Sequence, residues 1–475
     1  MIRSAHLACA SLLVLSACNG PEHAQDHLYT ELSRDLGGVE RDDDDALAAG
    51  RRLSEQAAAL DSGVGGLTLS DCFRLALENS ESLRVQGELL WSSELQRRRA
   101  IATVLPQVAL YGLHTRDSDK IAFSGGGSFQ PRERTNYGFT VTQTLFDGKL
   151  APRLSLIDET QQIQALELRD QRDRLLFAVA SNFYDALGLE ADVRAIEATR
   201  TSSRETLRVL EARQDLGVAR ADEVLLARAS EAESEARLIQ TQAELERVRL
   251  RLESILQRAP LPPLVDTFEV TSGPRELPRL VDLALRQRYD LEAARHQILA
   301  AEAQKDEAFT DYFPKAELVF NHLTESEEGF NSQLDWTLGI SLEWTLFDGF
   351  GREARLAQTY SAIRQRELEL RALEKQARLE VAEAALAFRS LDRALFAFEA
   401  RANAAASAYD ATNARLEAGS ATHLELLVAR DTREDAARNL TRTALGRKLA
   451  ALRIRLAAGD LRNAAPVAAL GADPR

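Results

Sequence analysis

Two segments of this chain repeat one another. Tyr137-Gly-Phe-Thr-Val-Thr-Gln-Thr-Leu-Phe-Asp-Gly148 and Trp336-Thr-Leu-Gly-Ile-Ser-Leu-Glu-Trp-Thr-Leu-Phe-Asp-Gly349 share the ending Thr-Leu-Phe-Asp-Gly. Both alternate strictly. In the second, Trp336, Leu338, Ile340, Leu342 and Trp344 face one way, while Ser341, Glu343 and Thr345 face the other. In the first, Phe139, Val141 and Leu145 oppose Thr140, Thr142 and Thr144. A period of 2 over roughly ten residues is a strand with one apolar and one polar face. That length, with aromatic residues near its ends, suits a strand of a membrane β-barrel. An amphipathic strand of a soluble sheet carries the same pattern, so the rest of the chain must decide.

Most of the remaining sequence is helix-forming, rich in Ala, Leu, Glu, Arg and Gln. No run of about 20 apolar residues follows the N-terminus, so a helical membrane span is not predicted. A membrane crossing would then need a closed barrel. The net charge of -14 argues against nucleic acid as a partner.

The first residues read as a secretion signal: Arg3, a short apolar core from Leu7 to Leu15, then Leu15-Ser16-Ala17-Cys18. The last four form a lipobox, which predicts cleavage before Cys18 and lipidation of its thiol. Residues 1–17 are thus a lipoprotein signal peptide, and 18–66 a mostly extended tether carrying Arg41-Asp-Asp-Asp-Asp45 and Gly63-Val-Gly-Gly66. Several acyl chains hold a protein stably at a bilayer. With Cys9 removed and Cys18 lipidated, Cys72 has no disulfide partner and reads as a packed apolar residue.

Internal repetition organises everything after the tether. Leu75-Ala-Leu77 with Leu83 matches Leu283-Ala-Leu285 with Leu291, and the same spacing carries Leu105-Pro106 onto Phe313-Pro314. A strand, a loop and the alternating strand follow in each copy. Beyond each Phe-Asp-Gly runs a long helical segment with almost no Gly or Pro. A turn then comes at Leu216-Gly-Val-Ala or Ala418-Gly-Ser-Ala, and another helix follows. Repeat 1 spans 67–258, with strands at about 107–115 and 137–146 and a hairpin turn at 216–221. A Pro-marked connector covers 259–277. Repeat 2 spans 278–457, with strands at about 315–323 and 336–347 and a turn at 418–423. A tail occupies 458–475. The long helical segment of repeat 1 would extend about 95 Å, close to the summed length of the two shorter helices that flank it. Four strands cannot close a barrel, since about eight is the smallest known. Membrane strands in this number would therefore require several copies around one pore.

From about residue 67 to 457 the chain resembles the TolC-like outer membrane efflux protein family, in its lipoprotein form. The resemblance rests on the duplicated layout, the Leu-Phe-Asp-Gly strand ends, the Gly turns followed by Ala-Arg, and the lipobox. It implies a mainly α fold with a small β part. In it, a duplicated helix-strand-strand-helix-helix unit builds a homotrimeric α-barrel tunnel topped by a 12-stranded membrane β-barrel. It also implies a Gram-negative outer-membrane location, a periplasmic adaptor docking near Gly217 and Gly419, and an inner-membrane pump, with the proton-driven RND type favoured. Phe139, Val141, Leu145, Trp336, Leu338, Ile340, Leu342 and Trp344 would face lipid. Thr140, Thr142, Thr144, Ser341, Glu343 and Thr345 would face the lumen.

In that family, acidic residues six and nine positions beyond the turn glycine ring the periplasmic entrance. Here the sixth positions are Glu223 and Glu425, the ninth Leu226 and Val428. One acidic ring and one hydrophobic constriction are expected. Carboxylate rings concentrate cations. The Tyr and Arg that lock the gate elsewhere are replaced by Leu416 and Ala421. No nucleophile, P-loop or zinc motif occurs, so no enzyme activity, cofactor or metal is predicted. The seven His are scattered, and His423 reads as a surface residue. The expected function is passive conduction in a tripartite efflux system. A duct for secreted proteins paired with an ATP-driven exporter, or a lipid-anchored periplasmic coiled-coil scaffold, are the alternatives.

Overall fold

The structure is a computed structural model describing residues 66–116, 133–270, 276–327 and 333–464. The expected signal peptide, Cys18, the expected tether up to residue 65 and the tail beyond 464 lie outside the described residues.

In chain order the elements are β1 (Leu67–Thr68), α1 (Leu69–Asn79), α2 (Glu81–Ala102), β2 (Gln107–Arg116), β3 (Glu133–Phe146), α3 (Leu150–Asp215) and α4 (Ala221–Leu256). The second half follows with β4 (Leu264–Val265), α5 (Leu277–Gln287), α6 (Tyr289–Phe309), β5 (Lys315–Glu327), β6 (Gln333–Glu343), α7 (Gly351–Glu417) and α8 (His423–Ala457). The fold is mainly α with a small β part, and the order repeats. The great length of α3 and α7 follows from what they lack. Apart from Gly188, α3 carries only Pro152, in its first turn where no intrahelical N–H is lost, and α7 carries only its opening Gly351.

Two compact units divide the chain. The first comprises the described residues to Gly87, Leu168–Leu291 and from Glu374 onward. Its core repeats the sequence duplication. Leu69, Cys72, Phe73 and Ala76 of α1 pack on Leu176, Val179 and Phe183 of α3 and on Leu252 and Leu256 of α4. Leu280 and Ala284 of α5 pack in the same way on Val381, Ala384 and Phe388 of α7 and on Ala450 and Ile454 of α8. Thr68 starts α1 with a reciprocal cap: its hydroxyl accepts from the Asp71 N–H, and the Asp71 carboxylate accepts from the Thr68 N–H at 3.2 Å. β1 and β4 pair in parallel, fastening the connector to the start of repeat 1.

The second unit comprises Glu88–Glu167 and Glu292–Leu373. It holds an antiparallel sheet in the order β2-β3-β5-β6. The strand expected over 336–347 runs instead from Gln333 to Glu343. Its pairing ends where Lys315 stands opposite Glu343. The next position on β5 would be Pro314, which has no N–H to give the ladder. Trp344 and Thr345 therefore lie beyond the strand, which corrects their expected places on its two faces. The Trp344 indole donates to the Tyr312 carbonyl at 3.1 Å. A bulge between Thr144 and Phe146 gives Phe146, not Leu145, the place opposite Ala316.

Candidate functional site

The two hairpin tips lie in the first unit, and their turns share one geometry. Gly217 has φ +71 and Gly419 φ +74. At the first tip the Val218 N–H reaches the Arg213 carbonyl at 2.9 Å, and the Gly217 N–H reaches that of Gln214 at 2.8 Å. At the second, Ser420 reaches Arg415 at 2.8 Å and Gly419 reaches Leu416 at 2.9 Å. Both are Schellman endings, with glycine at the left-handed position. A Cβ at either glycine would meet nothing within 4 Å, so backbone angle alone selects glycine there.

The next helices begin differently. Thr422 caps α8, its hydroxyl accepting from the Glu425 N–H at 3.2 Å, whereas α4 has no side-chain cap. Glu425 is also tied by its side chain: Arg415 Nη2 lies 3.3 Å from its Oε2 and 3.2 Å from the Ser420 carbonyl. Glu223 sits at the equivalent point of α4, half-buried. Leu226 and Val428 are exposed within the protomer, as are Leu216, Val218 and Leu225.

Polar contacts along the helices join the two hairpins. Arg213 Nη1 of α3 lies 3.5 Å from His423 Nε2 of α8. About two turns further along, Arg430 Nη2 reaches Ser230 Oγ at 3.2 Å. Beyond that, Arg442 binds Asp192 at 2.6 Å. Arg430 and Arg228 align in sequence but part in structure. Arg430 is buried, with Glu434 at 3.8 Å, while Arg228 is exposed on Glu211 at 2.8 Å. Burial pushes the Glu434 carboxyl upward. His423 is partly buried, beside Arg213. Partial burial first, and Arg213 second, hold its pKa below the usual histidine range, with Glu223 acting the other way.

In the second unit the sheet separates its faces by register. Phe139 stands beside Leu110 and His322, Val141 beside Val108 and Phe320, and Phe320 beside Leu338. Their rings form a ladder, Phe139 to Phe320 at 5.8 Å and Phe320 to Trp336 at 6.4 Å. This apolar face is open: Leu110 is 86% exposed, Trp336 67% and Ile340 71%. The opposite face brings together Thr140 and Asn321, whose side chains bond at 2.8 Å, with Thr142, Thr144 and Ser341. Thr144 donates to the Thr103 carbonyl at 3.1 Å. Glu343 stands opposite Lys315 in register, which offsets the negative charge on that face. β2 and β5, whose alternation is weak in sequence, take their faces from these pairings.

The outer membrane efflux protein description matches residues 73–257 and 280–460, one stretch per repeat. The chain belongs to that family. The family is one of channels, not enzymes. Among the described residues no helix is long and apolar enough to cross a membrane, and no group of three His, Cys, Asp or Glu could hold a metal. The chain is 28% identical over 341 residues to Protein CyaE of Bordetella pertussis, spanning 66% of each. Among solved structures it is similar to the Campylobacter jejuni CmeC outer membrane channel, with TM-score 0.74 and 14% identity over 83% of this chain and 86% of that one. It is also similar to the open state of the Neisseria gonorrhoeae MtrE outer membrane channel, with TM-score 0.66 and 20% identity over 83% and 89%. In this efflux-family chain the sequence pattern points to Glu223 and Glu425 but not to Arg415, which holds Glu425, nor to the meeting of Arg213 with His423. Arg415 and Arg213 carry no motif, because their partners come from neighbouring helices.

Proposed function

We propose that this chain is the outer-membrane exit duct of a tripartite efflux system. It works as a homotrimer anchored through lipid on Cys18, after loss of residues 1–17. Its substrates arrive from a periplasmic adaptor and an inner-membrane pump of the proton-driven type. The carrying observation is the open sheet of the second unit. It has four strands, two outer edges without a partner strand among the described residues, and an exposed apolar face. An open edge in lipid leaves backbone groups unpaired, at several kcal/mol each. Three copies give twelve strands, enough to close a barrel. The apolar face then meets lipid, and the face carrying Thr140, Thr142, Ser341 and Glu343 lines the lumen.

In the first unit, Glu223 and Glu425 form the acidic entrance, with Leu226 and Val428 as an apolar narrowing. The exposed turns at 216–221 and 418–423 receive the adaptor. Conduction is passive and breaks no bond. Single-channel recording of the detergent-purified protein in a planar bilayer, with mass photometry of the same sample, tests this reading. Trimers giving discrete cation-selective steps are expected. Monomers or dimers with no heat-modifiable β-signal would overturn it. A co-purifying ATP-driven exporter would replace the pump assignment and leave the duct.

A further inference from the structure

The contact between the hairpin tips joins two groups that attract only while one of them is neutral. An arginine can only donate. With Arg213 Nη1 3.5 Å from it, His423 Nε2 must present its lone pair, so the ring is neutral with its proton on Nδ1. Protonation at Nε2 turns the acceptor into a second donor and sets two positive charges face to face. We propose that His423 and Arg213 form a proton-sensitive latch between the two hairpin tips of one protomer, which acid releases. The inference rests on the duct reading for its consequence, a looser entrance at low pH, but not for its chemistry.

Four features of the site support it. The pair bridges 210 residues of sequence, so it joins the end of α3 to the start of α8 and not neighbours on one helix. His423 is the first residue of α8, just after its Thr422 cap, where the unsatisfied N–H groups disfavour a cation. Partial burial and Arg213 both favour the neutral ring. Finally, the next hairpin-to-hairpin bond, Arg430 to Ser230, sits about two turns away, so the outermost turns rely on the latch.

The charged groups around the ring set the balance. From α3 comes Arg213, which opposes protonation. From α4 comes Glu223, which favours it and brings the transition closer to neutral pH. On α8 itself Glu425 is engaged by Arg415 of α7. The sign follows from these: the latch holds above the histidine's lowered pKa and fails as pH falls through it.

Hydrogen–deuterium exchange on the purified full-length protein reads the latch directly. It is measured at pH 7.5 and 4.5, well below the ordinary histidine range, with rates corrected for intrinsic exchange. Protection of peptides covering 207–224 and 414–430 is expected to fall several-fold at the lower pH. His423→Gln keeps an acceptor and cannot take a proton, so its protection should not change with pH. His423→Lys should be loosened at pH 7.5 already. Arg213→Gln, which removes the repelling charge, should blunt the acid response and guards against misfolding of a single variant. Equal protection at both pH values in the parent, or an equal fall in His423→Gln, overturns the latch. Mass photometry and bilayer conductance of the same samples separate the two claims: exchange that follows His423 in monomers or dimers that never conduct would keep the latch and count against the duct.

Discussion

Arg415 decides how much charge Glu425 presents. The pair is half-exposed, so its direct stabilisation is small, on the order of 0.2–1 kcal/mol. Its effect on a pore is larger than on stability, because selectivity depends on net charge at a narrow place. Removing Arg415 as Arg415→Gln frees a carboxylate in each copy. Reversal potentials in a salt gradient should shift further toward the cation value, and Glu425→Gln should shift them back. No change in either variant would take Glu425 out of the conduction path. At the far end of the same unit, Cys72 lies within the α1 core with no surface, and burial pushes its thiol up to about 12. It should resist maleimide at pH 7.5 in the folded protein and react fully in guanidinium. The sign is that of an acid raised by folding. Stability is full below the unfolded thiol's pKa, near 9, and declines as pH rises from there toward 12.

Elements were legible in the sequence where one force dominates. β3 and β6 show in their alternation, and the chain turns at Gly217 and Gly419 because only glycine takes the left-handed angle cheaply. Gly217→Ala or Gly419→Ala should cost about 1 kcal/mol each and lower the midpoint of the 222 nm thermal melt. β2 and β5 were not legible, for a physical reason. Tyr111 sits on the polar face because it covers Gly138, where a Cβ would come within 2.8 Å of the Tyr111 hydroxyl. Val319 likewise stands between Thr142, whose side chain is small, and Gly339, which has none. Such cross-strand fits depend on register, which a single strand does not carry. The faces themselves can be tested by charge. Leu338→Arg puts a cation on the apolar face, at about 2–4 kcal/mol near a bilayer midplane. It should abolish the heat-modifiable oligomer, whereas Thr337→Arg on the other face should leave it. Equal loss from both would mean that the apolar face does not meet lipid.

At the scale of the whole molecule, the sequence carried the need for partners but not their geometry. Counting strands shows that one copy cannot close, yet nothing in the residues of β2 or β6 says which edges meet. The sheet order supplies that step. β3 and β5 are paired on both sides, so among the described residues only β2 and β6 have outer edges to offer. Closure of identical copies is then head to tail, β6 of one against β2 of the next, and a heterologous contact repeated by rotation makes a ring. The side chains agree: β6 is exposed along its described length on both faces, and Val108 and Leu110 of β2 are as open as Ile340. Cysteines placed one at a time at Val108 or Leu110, combined with one at Leu338 or Ile340 in a Cys72→Ser background, should cross-link between copies when the register is right. On a non-reducing gel the best pair should give a ladder ending at three subunits, because a ring of three has no fourth partner to recruit. A ladder that stops at two would show a closed dimer, and one that continues past three would show an open chain of copies. Either result would refute the twelve-stranded barrel while leaving the four-stranded sheet intact.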